Sequence, residues 1–396
     1  MKNQFLKNST KLAAALALFV ALTMVPTAQA QNYGPWSPPV NLNALTMSDG
    51  ITPCPFKVNS AFNDSHPALS KDGLSLIFAT TRPGPDSTGQ VGLGNYDLWV
   101  AQRDSMDDCW QEPRSLGPVV NSAFQDFAPN LSTDGHWLFF HSTRPTWVNA
   151  DGVVIPSCGQ GANLYGSHRK DKRDDFSWEP PINLGCTINV PGFGTAGPTY
   201  FEDDATGTRF LYFTAMPVGS SDTFFDIYVS TCAADLDTCN TQQLWKTGTL
   251  VDALNNTPDN KEYRNTRTAI RRRDGLEMIL SSGRPGSLGS ENLWVSTRPA
   301  ITEDQLNWSA PVPINCDWLP TLSQYLQCLP HPPELAQVNS NAFDGAPALS
   351  WDGTELYFFS KRTDLSGHIP GLSPTGDGTE NSDLYFSKRT KLTGPQ

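Results

Sequence analysis

One phrase returns five times along this chain, and a repeat of that size restricts the possible fold more than any single residue does. It runs Pro, two residues, Ser or a substitute, one residue, Asp-Gly, an apolar stretch, Ser/Thr-x-Arg-Pro, and then Asp-Leu-Trp or Asp-Leu-Tyr. The copies are PALSKDGLSLIFATTRPG…YDLWVAQR from Pro67 and PNLSTDGHWLFFHSTRP…NLYGSHR from Pro129. A worn copy, PTYFEDD…FLYFTA…DIYVST, begins at Pro198, followed by AIRRRDGLEMILSSGRPG…NLWVSTR from Ala269 and PALSWDGTELYFFSKRT…DLYFSKR from Pro347. Each copy holds three strand candidates, since apolar and polar residues alternate and Phe, Tyr, Trp, Val and Ile are frequent. Asp72-Gly73, Asp134-Gly135, Asp274-Gly275 and Asp352-Gly353 stand between the first and second of these. Asp-Gly is a strong hairpin signal because Gly accepts the positive φ that such turns require.

A fourth strand is expected after each third one, marked by Trp, a few residues, Pro and then Leu or Ile. It reads WQEPRSLG at Trp110, WEPPINLG at Trp178 and WSAPVPI at Trp308, with a weaker LWKTGTLV at Leu244. The fifth copy ends without one, yet WSPPVNL at Trp36 precedes the first copy. A ring of sheets closes when the leading strand completes the last sheet, which also removes an open edge. The expected fold is therefore all-β, a five-bladed β-propeller of four-stranded antiparallel blades, closed by the N-terminal strand. Residues 31–396 form that domain in this reading. Residues 1–30 read as a secretory signal: Lys2, Lys7 and Lys11, an apolar Leu12 to Val25, and a small-x-small site at Ala28-Gln29-Ala30. No later segment reaches membrane-spanning length, so the chain is expected to be exported, periplasmic or extracellular.

The combination of SxDG, an apolar strand, SxRPG and DLWV resembles the WD40-like repeat of TolB-type propellers, over essentially all of residues 31–396. The resemblance implies a β-propeller, often one engaged in protein–protein contact. TolB-type proteins pair the propeller with a separate N-terminal domain, for which there is no room before Trp36.

The net charge of −12 disfavours nucleic acid and anionic membrane as partners. Eight cysteines in an exported chain point to disulfides. Cys232 with Cys239 and Cys316 with Cys328 are local pairs, Cys158 with Cys186 would pin an insertion, and Cys54 and Cys109 remain, with their pairing open. None has CxxC spacing. Insertions at 83–95, 146–163, 315–336 and 363–381 are expected on one face, where a binding surface is built.

Asp64, Asp126 and Asp344 start inner strands, with Thr195 and Thr266 at the equivalent places. They are expected at the mouth of the central channel, either repeating one hydrogen bond or holding a cation such as Ca²⁺. Asn59-Ser60, Asn121-Ser122 and Asn339-Ser340 read as turn formers. Arg82, Arg144, Arg284 and Arg362 read as braces between blades. His66, Arg264 and Arg267 break the repeat, His66 standing where other copies have Ala128, Gly197, Thr268 and Ala346. With Asp64, Asp126 and Asp344 they make up the expected binding site, the arginines opposing the aspartates. The favoured function is a non-enzymatic binding or scaffold module for a protein, peptide or glycan, with no required cofactor. The alternative is a glycoside hydrolase or polysaccharide lyase using Asp64, Asp126 and Glu262 or Glu202, because glycosidic hydrolysis calls for two carboxylates. Trp147 and Trp318 could then stack on sugar rings.

Overall fold

The computed structural model describes residues 33–149, 151–159, 161–219, 225–257, 263–314, 338–363 and 381–392. Residues 1–30, expected to be a secretory signal, Glu262, Cys316, Cys328, Trp318, the 315–336 insertion and most of the 363–381 insertion lie outside them. Five four-stranded antiparallel sheets are formed. Their inner strands are Asp64–Leu69, Asp126–Leu131, Phe193–Glu202, Asn265–Ile270 and Asp344–Leu349, and each neighbours the next around a closed ring. The outermost strands are short: Arg114–Ser115, Ile182–Asn183, Thr249–Leu250, Val312–Pro313 and Val40–Asn41. Val40 and Asn41 pair with Phe386 and Tyr385, so the leading segment completes the fifth blade.

Alternation explains the packing. In Ser75–Thr80, Leu76 and Phe78 point toward blade five while Ile77 and Ala79 point toward blade two. Every middle strand is apolar on both sides because its sheet is sandwiched between two others. The five buried clusters accordingly sit at the five blade interfaces.

Two polar devices repeat around the ring. Asn59, Asn121, Asn189, Asn255 and Asn339 each exchange two side-chain hydrogen bonds with one backbone residue of the preceding blade's third strand. Leu98 N–H, for example, donates to Asn121 Oδ1 at 2.8 Å while Asn121 Nδ2 donates to the Leu98 carbonyl at 3.0 Å. Leu384, Leu164, Ile227 and Leu293 are the other partners. These asparagines are staples between blades, where the sequence suggested turn formers at Asn59, Asn121 and Asn339. The second device places Arg103, Arg169, Arg298 and Arg389 over the rings of Trp110, Trp178, Trp308 and Trp36, at 4.2–4.4 Å. Each Nε also donates to a glycine carbonyl of its own Asp-Gly or equivalent turn, at 2.7–2.9 Å. Trp36 thus takes in blade five the place that a following Trp takes elsewhere.

Disulfides join Cys54 to Cys109, Cys158 to Cys186 and Cys232 to Cys239. The 146–163 insertion carries its own hairpin, Thr146–Val148 with Val154–Pro156. No helix among the described residues is long and apolar enough to cross a membrane.

Candidate functional site

The aspartates do not line the channel mouth. Asp64 is fully buried, and its Oδ1 accepts from Arg82 Nη2 at 2.5 Å while Oδ2 accepts from Ser60 N and Oγ at 2.6 and 2.8 Å. Asp126 repeats this with Arg144 and Ser122, and Asp344 with Arg362 and Ser340. Each arginine also donates to a backbone carbonyl of the connection entering its blade, from Val58, Val120 or Val338. The carboxylates are therefore neutralised one by one, and the bracing runs within a blade. Three consequences follow: no shared cation site is formed by them, Arg264 and Arg267 are not their counter-ions, and neither Asp64 nor Asp126 is free to attack or protonate a substrate. Among the described residues no cluster of three or more His, Cys, Asp or Glu is placed to hold a metal. Glu202 is paired with Arg209 at 2.9 Å at the far end of its inner strand, away from the channel mouth.

Strand pairing also corrects the register of blade four. Asp64 faces Thr80, Asp126 faces Ser142, Asp344 faces Ser360 and Asn265 faces Ser282. Asn265 Oδ1 accepts from Ser282 Oγ and from Arg284 Nη2, as the aspartates do from their own partners. Asn265, rather than Thr266, is thus the equivalent of Asp64. One step of register then puts Arg267, not Thr268, at the position of His66, Ala128, Gly197 and Ala346. That position lies in a β-bulge of every inner strand. His66, Ala128, Gly197 and Ala346 have φ of 52°, 54°, 60° and 47° there.

Around this ring the chain encloses a pocket of about 560 Å³. It opens at the end of the propeller that carries the Arg-Pro corners, and its walls differ. Blades one, two and five supply a continuous aromatic wall. Tyr96 lies 4.4 Å from Phe127, Phe127 lies 4.0 Å from His66, His66 stacks on Phe359 at 5.3 Å, and Phe359 stacks on Phe343 at 5.1 Å, centroid to centroid. Blade four supplies Arg264, Thr266 and Arg267, and Lys361 joins them from blade five. No Asp or Glu lines the pocket among the described residues. Below the pocket the channel is closed: Arg267 Nη2 donates across it to the Pro129 carbonyl, and Arg272 donates to the carbonyls of Leu69 and Leu131.

Of the expected binding residues, the pocket brings together His66, Arg264 and Arg267, and leaves out Asp64, Asp126 and Asp344. It adds two titratable groups that sequence reasoning missed. His141 sits in the apolar strand Trp137–Ser142, where blade five has Phe359. Glu291 occupies the slot before the third strand, held elsewhere by Tyr96, Ala162, Phe225 and Ser382. It contacts Arg264 at 2.9 Å, accepts from Thr266 Oγ1 at 2.9 Å and lies just behind the wall. Each breaks the repeat, which is the signal that could have exposed them.

Burial sets their protonation. His141 is pushed down to about 3, first by burial and then by the nearby Arg267 charge. His66 falls well below its ordinary value, for burial and then for Arg267, His141 and Arg264. Both are neutral at pH 7. Gly197 N–H donates to His141 Nδ1 at 3.3 Å, which leaves the ring proton on Nε2. Burial raises Glu291 to about 7, against the opposing pull of Arg264 and the Thr266 hydroxyl.

The signs for stability differ. The folded histidines refuse protons that an unfolded chain takes up below about pH 6.5, so their contribution is full above that pH and is lost as pH falls through the acid range. Folded Glu291 keeps a proton that an unfolded Glu releases above about 4.3, so its contribution is full below that pH and is lost as pH rises toward 7. His141→Phe, which copies blade five, is expected to flatten the acid limb of stability by about one proton. Urea midpoints from pH 7 to pH 4 measure this, and an unchanged slope would refute the assignment.

No family model matches the chain, and no curated protein matches it in sequence. The TolB type therefore finds no support, while the propeller half of that resemblance holds. Solved structures of similar architecture include an alpha-L-arabinofuranosidase from Lactobacillus brevis, 14% identical, covering 85% of this chain and 95% of that one at a TM-score of 0.47. An alpha-L-arabinofuranosidase from Podospora anserina is 11% identical, covering 90% and 98% at 0.45. A family 117 glycoside hydrolase from Zobellia galactanivorans is 11% identical, covering 92% and 94% at 0.46. Such likeness extends to fold alone, which the sheet topology already establishes. The sequence favoured a non-enzymatic binding module; the solved propellers of similar fold are instead glycoside hydrolases.

Proposed function

We propose that this chain is an exported carbohydrate-active enzyme that cleaves a glycosidic bond in the channel-mouth pocket. The supporting observation is the meeting of two unlike walls in one cavity of about 560 Å³: aromatic rings from Tyr96 to Phe343 on one side, and hydrogen-bond donors of blade four on the other. A sugar ring has apolar CH faces that pack on aromatic rings and hydroxyls that need polar partners at its edge. His66, His141 and Glu291 border the cavity with strongly shifted protonation, as groups that exchange protons at active sites do. Asp64 and Asp126 are consumed by their arginines, so acid–base work in this reading passes to His66, whose Nδ1 has no partner. Three disulfides support an oxidising compartment.

The test uses the protein's own repeats. Ala128 and Ala346 occupy the position of His66 with the same sign of φ, so His66→Ala keeps the backbone. Release of new chain ends from a panel of neutral and acidic oligosaccharides is expected to fall by about 10²-fold or more, with folding unchanged. Full turnover in His66→Ala would remove His66 from the reaction. Failure of the wild-type protein to cleave any carbohydrate would end the reading.

A further inference from the structure

Resting on that reading, we infer that the sugar accepted by this pocket carries a carboxylate, and that Arg267 is the group that receives its charge. Arg267 is 2% exposed and lines the cavity. Among the described residues only its Nη2 is bonded, to the Pro129 carbonyl, while Nε and Nη1 find no acceptor. No carboxylate pairs with it among the described residues. Its treatment is unlike that of the other arginines buried in this fold. Arg169, Arg271, Arg362 and Arg389 each end on a carboxylate, while Arg272, Arg284 and Arg298 each have at least two acceptors. A guanidinium taken out of water needs a counter-charge or a full set of acceptors, and one carbonyl is neither. Burial alone brings Arg267 down to about 9, which still leaves it charged at pH 7.

The surroundings agree with an anionic occupant. Arg264 and Lys361 share the lining with Arg267, in a chain whose net charge is −12. Glu291, an acidic group close by, lies behind Arg264 and holds its proton up to about 7. His141 presents its Nε2 proton as a further neutral donor. The cavity is thus a local reversal of sign, and such a concave reversal attracts and orients anions. A carboxylate fixed on the ring of a uronic acid satisfies both walls together, its CH face on the aromatic side and its charge toward blade four. A neutral sugar leaves the buried guanidinium uncompensated, and a site with unpaired polar groups discriminates strongly against such a ligand.

The experiment is calorimetric titration of the whole protein at low ionic strength. The probes are glucuronate and galacturonate oligosaccharides, their neutral glucose and galactose counterparts, and acetate and sulfate. Acidic sugars are expected to bind at least about tenfold more tightly than neutral ones, with the difference shrinking as salt rises. Arg267→Met should abolish that preference while leaving thermal stability equal or higher, because it removes a buried unpaired charge; a merely structural arginine would lower it. Arg267→Lys, which keeps charge without the planar donor set, should retain a weakened preference, and it carries the test if the Met variant does not fold. Equal affinity for acidic and neutral sugars, or a preference untouched by either variant, overturns this inference and leaves the proposed function standing. Binding of acetate or sulfate through Arg267 with no binding of any sugar overturns both.

Discussion

Asp126→Ala is expected to destabilise the propeller by about 3–5 kcal/mol, because Arg144 would then hold a charge with no carboxylate to balance it. The Asp126 side chain is fully buried, its arginine is 11% exposed, and two Ser122 donors would also lose their acceptor. Asp126→Asn should cost much less. Blade four is built that way already: Asn265 accepts from both Ser282 and Arg284 in the same geometry. Chemical denaturation of the two variants beside wild type gives the comparison. A stable Asp126→Ala protein that had lost only catalytic turnover would restore the aspartate to the chemistry from which its burial removes it. The same contrast is expected at Asp64 and Asp344, whose partners are the same in kind.

Trp36→Ala should have an effect of similar size, again about 3–5 kcal/mol, for the loss of a buried indole from a packed interface. Trp36 is 4% exposed and packs with Ile279, Leu293, Leu356, Phe358 and Tyr385 between blades four and five. Its ring also lies under the Arg389 guanidinium at 4.3 Å. Trp110, Trp178 and Trp308 make the same contacts inside the chain, so their alanine variants are the natural controls. Position sets Trp36 apart. It anchors the two-residue strand Val40–Asn41, which closes the ring, and a terminal strand is free to detach without unfolding a neighbour. Limited proteolysis should therefore cut Trp36→Ala near its N-terminal strand well before wild type, while Trp178→Ala resists at that place. Equal resistance in the two variants would show that the closure does not depend on the Trp36 contact.

These outcomes bear on how much was legible beforehand. The blade count was, because Asp-Gly hairpins, alternating apolar strands and the Trp segments are local signals, and five copies reinforced one another. The leading Trp36 segment was readable as the missing outer strand for the same reason. The roles of Asp64, Asp126 and Asp344 were not, since each partner arginine stands 18 residues away and only pairing of the first two strands shows that they meet. Asn59 and Asn121 look like turn residues in isolation, and only the neighbouring blade reveals what they hold.

The pocket is the sharpest case. His66, Arg264 and Arg267 drew notice as departures from the repeat, and they do converge. His141 and Glu291 passed unnoticed inside strings that matched the pattern well enough. Sequence alone determined that the chain would close into a ring of five sheets, because strand periodicity and turn chemistry are carried by neighbouring residues. Tertiary structure alone decided which side chains face the axis, because a one-residue step in the bulge of blade four exchanges Thr268 for Arg267 at the ring position. No local pattern records that step; it is set by which backbone groups of Asn265–Ile270 find partners on Glu277–Ser282.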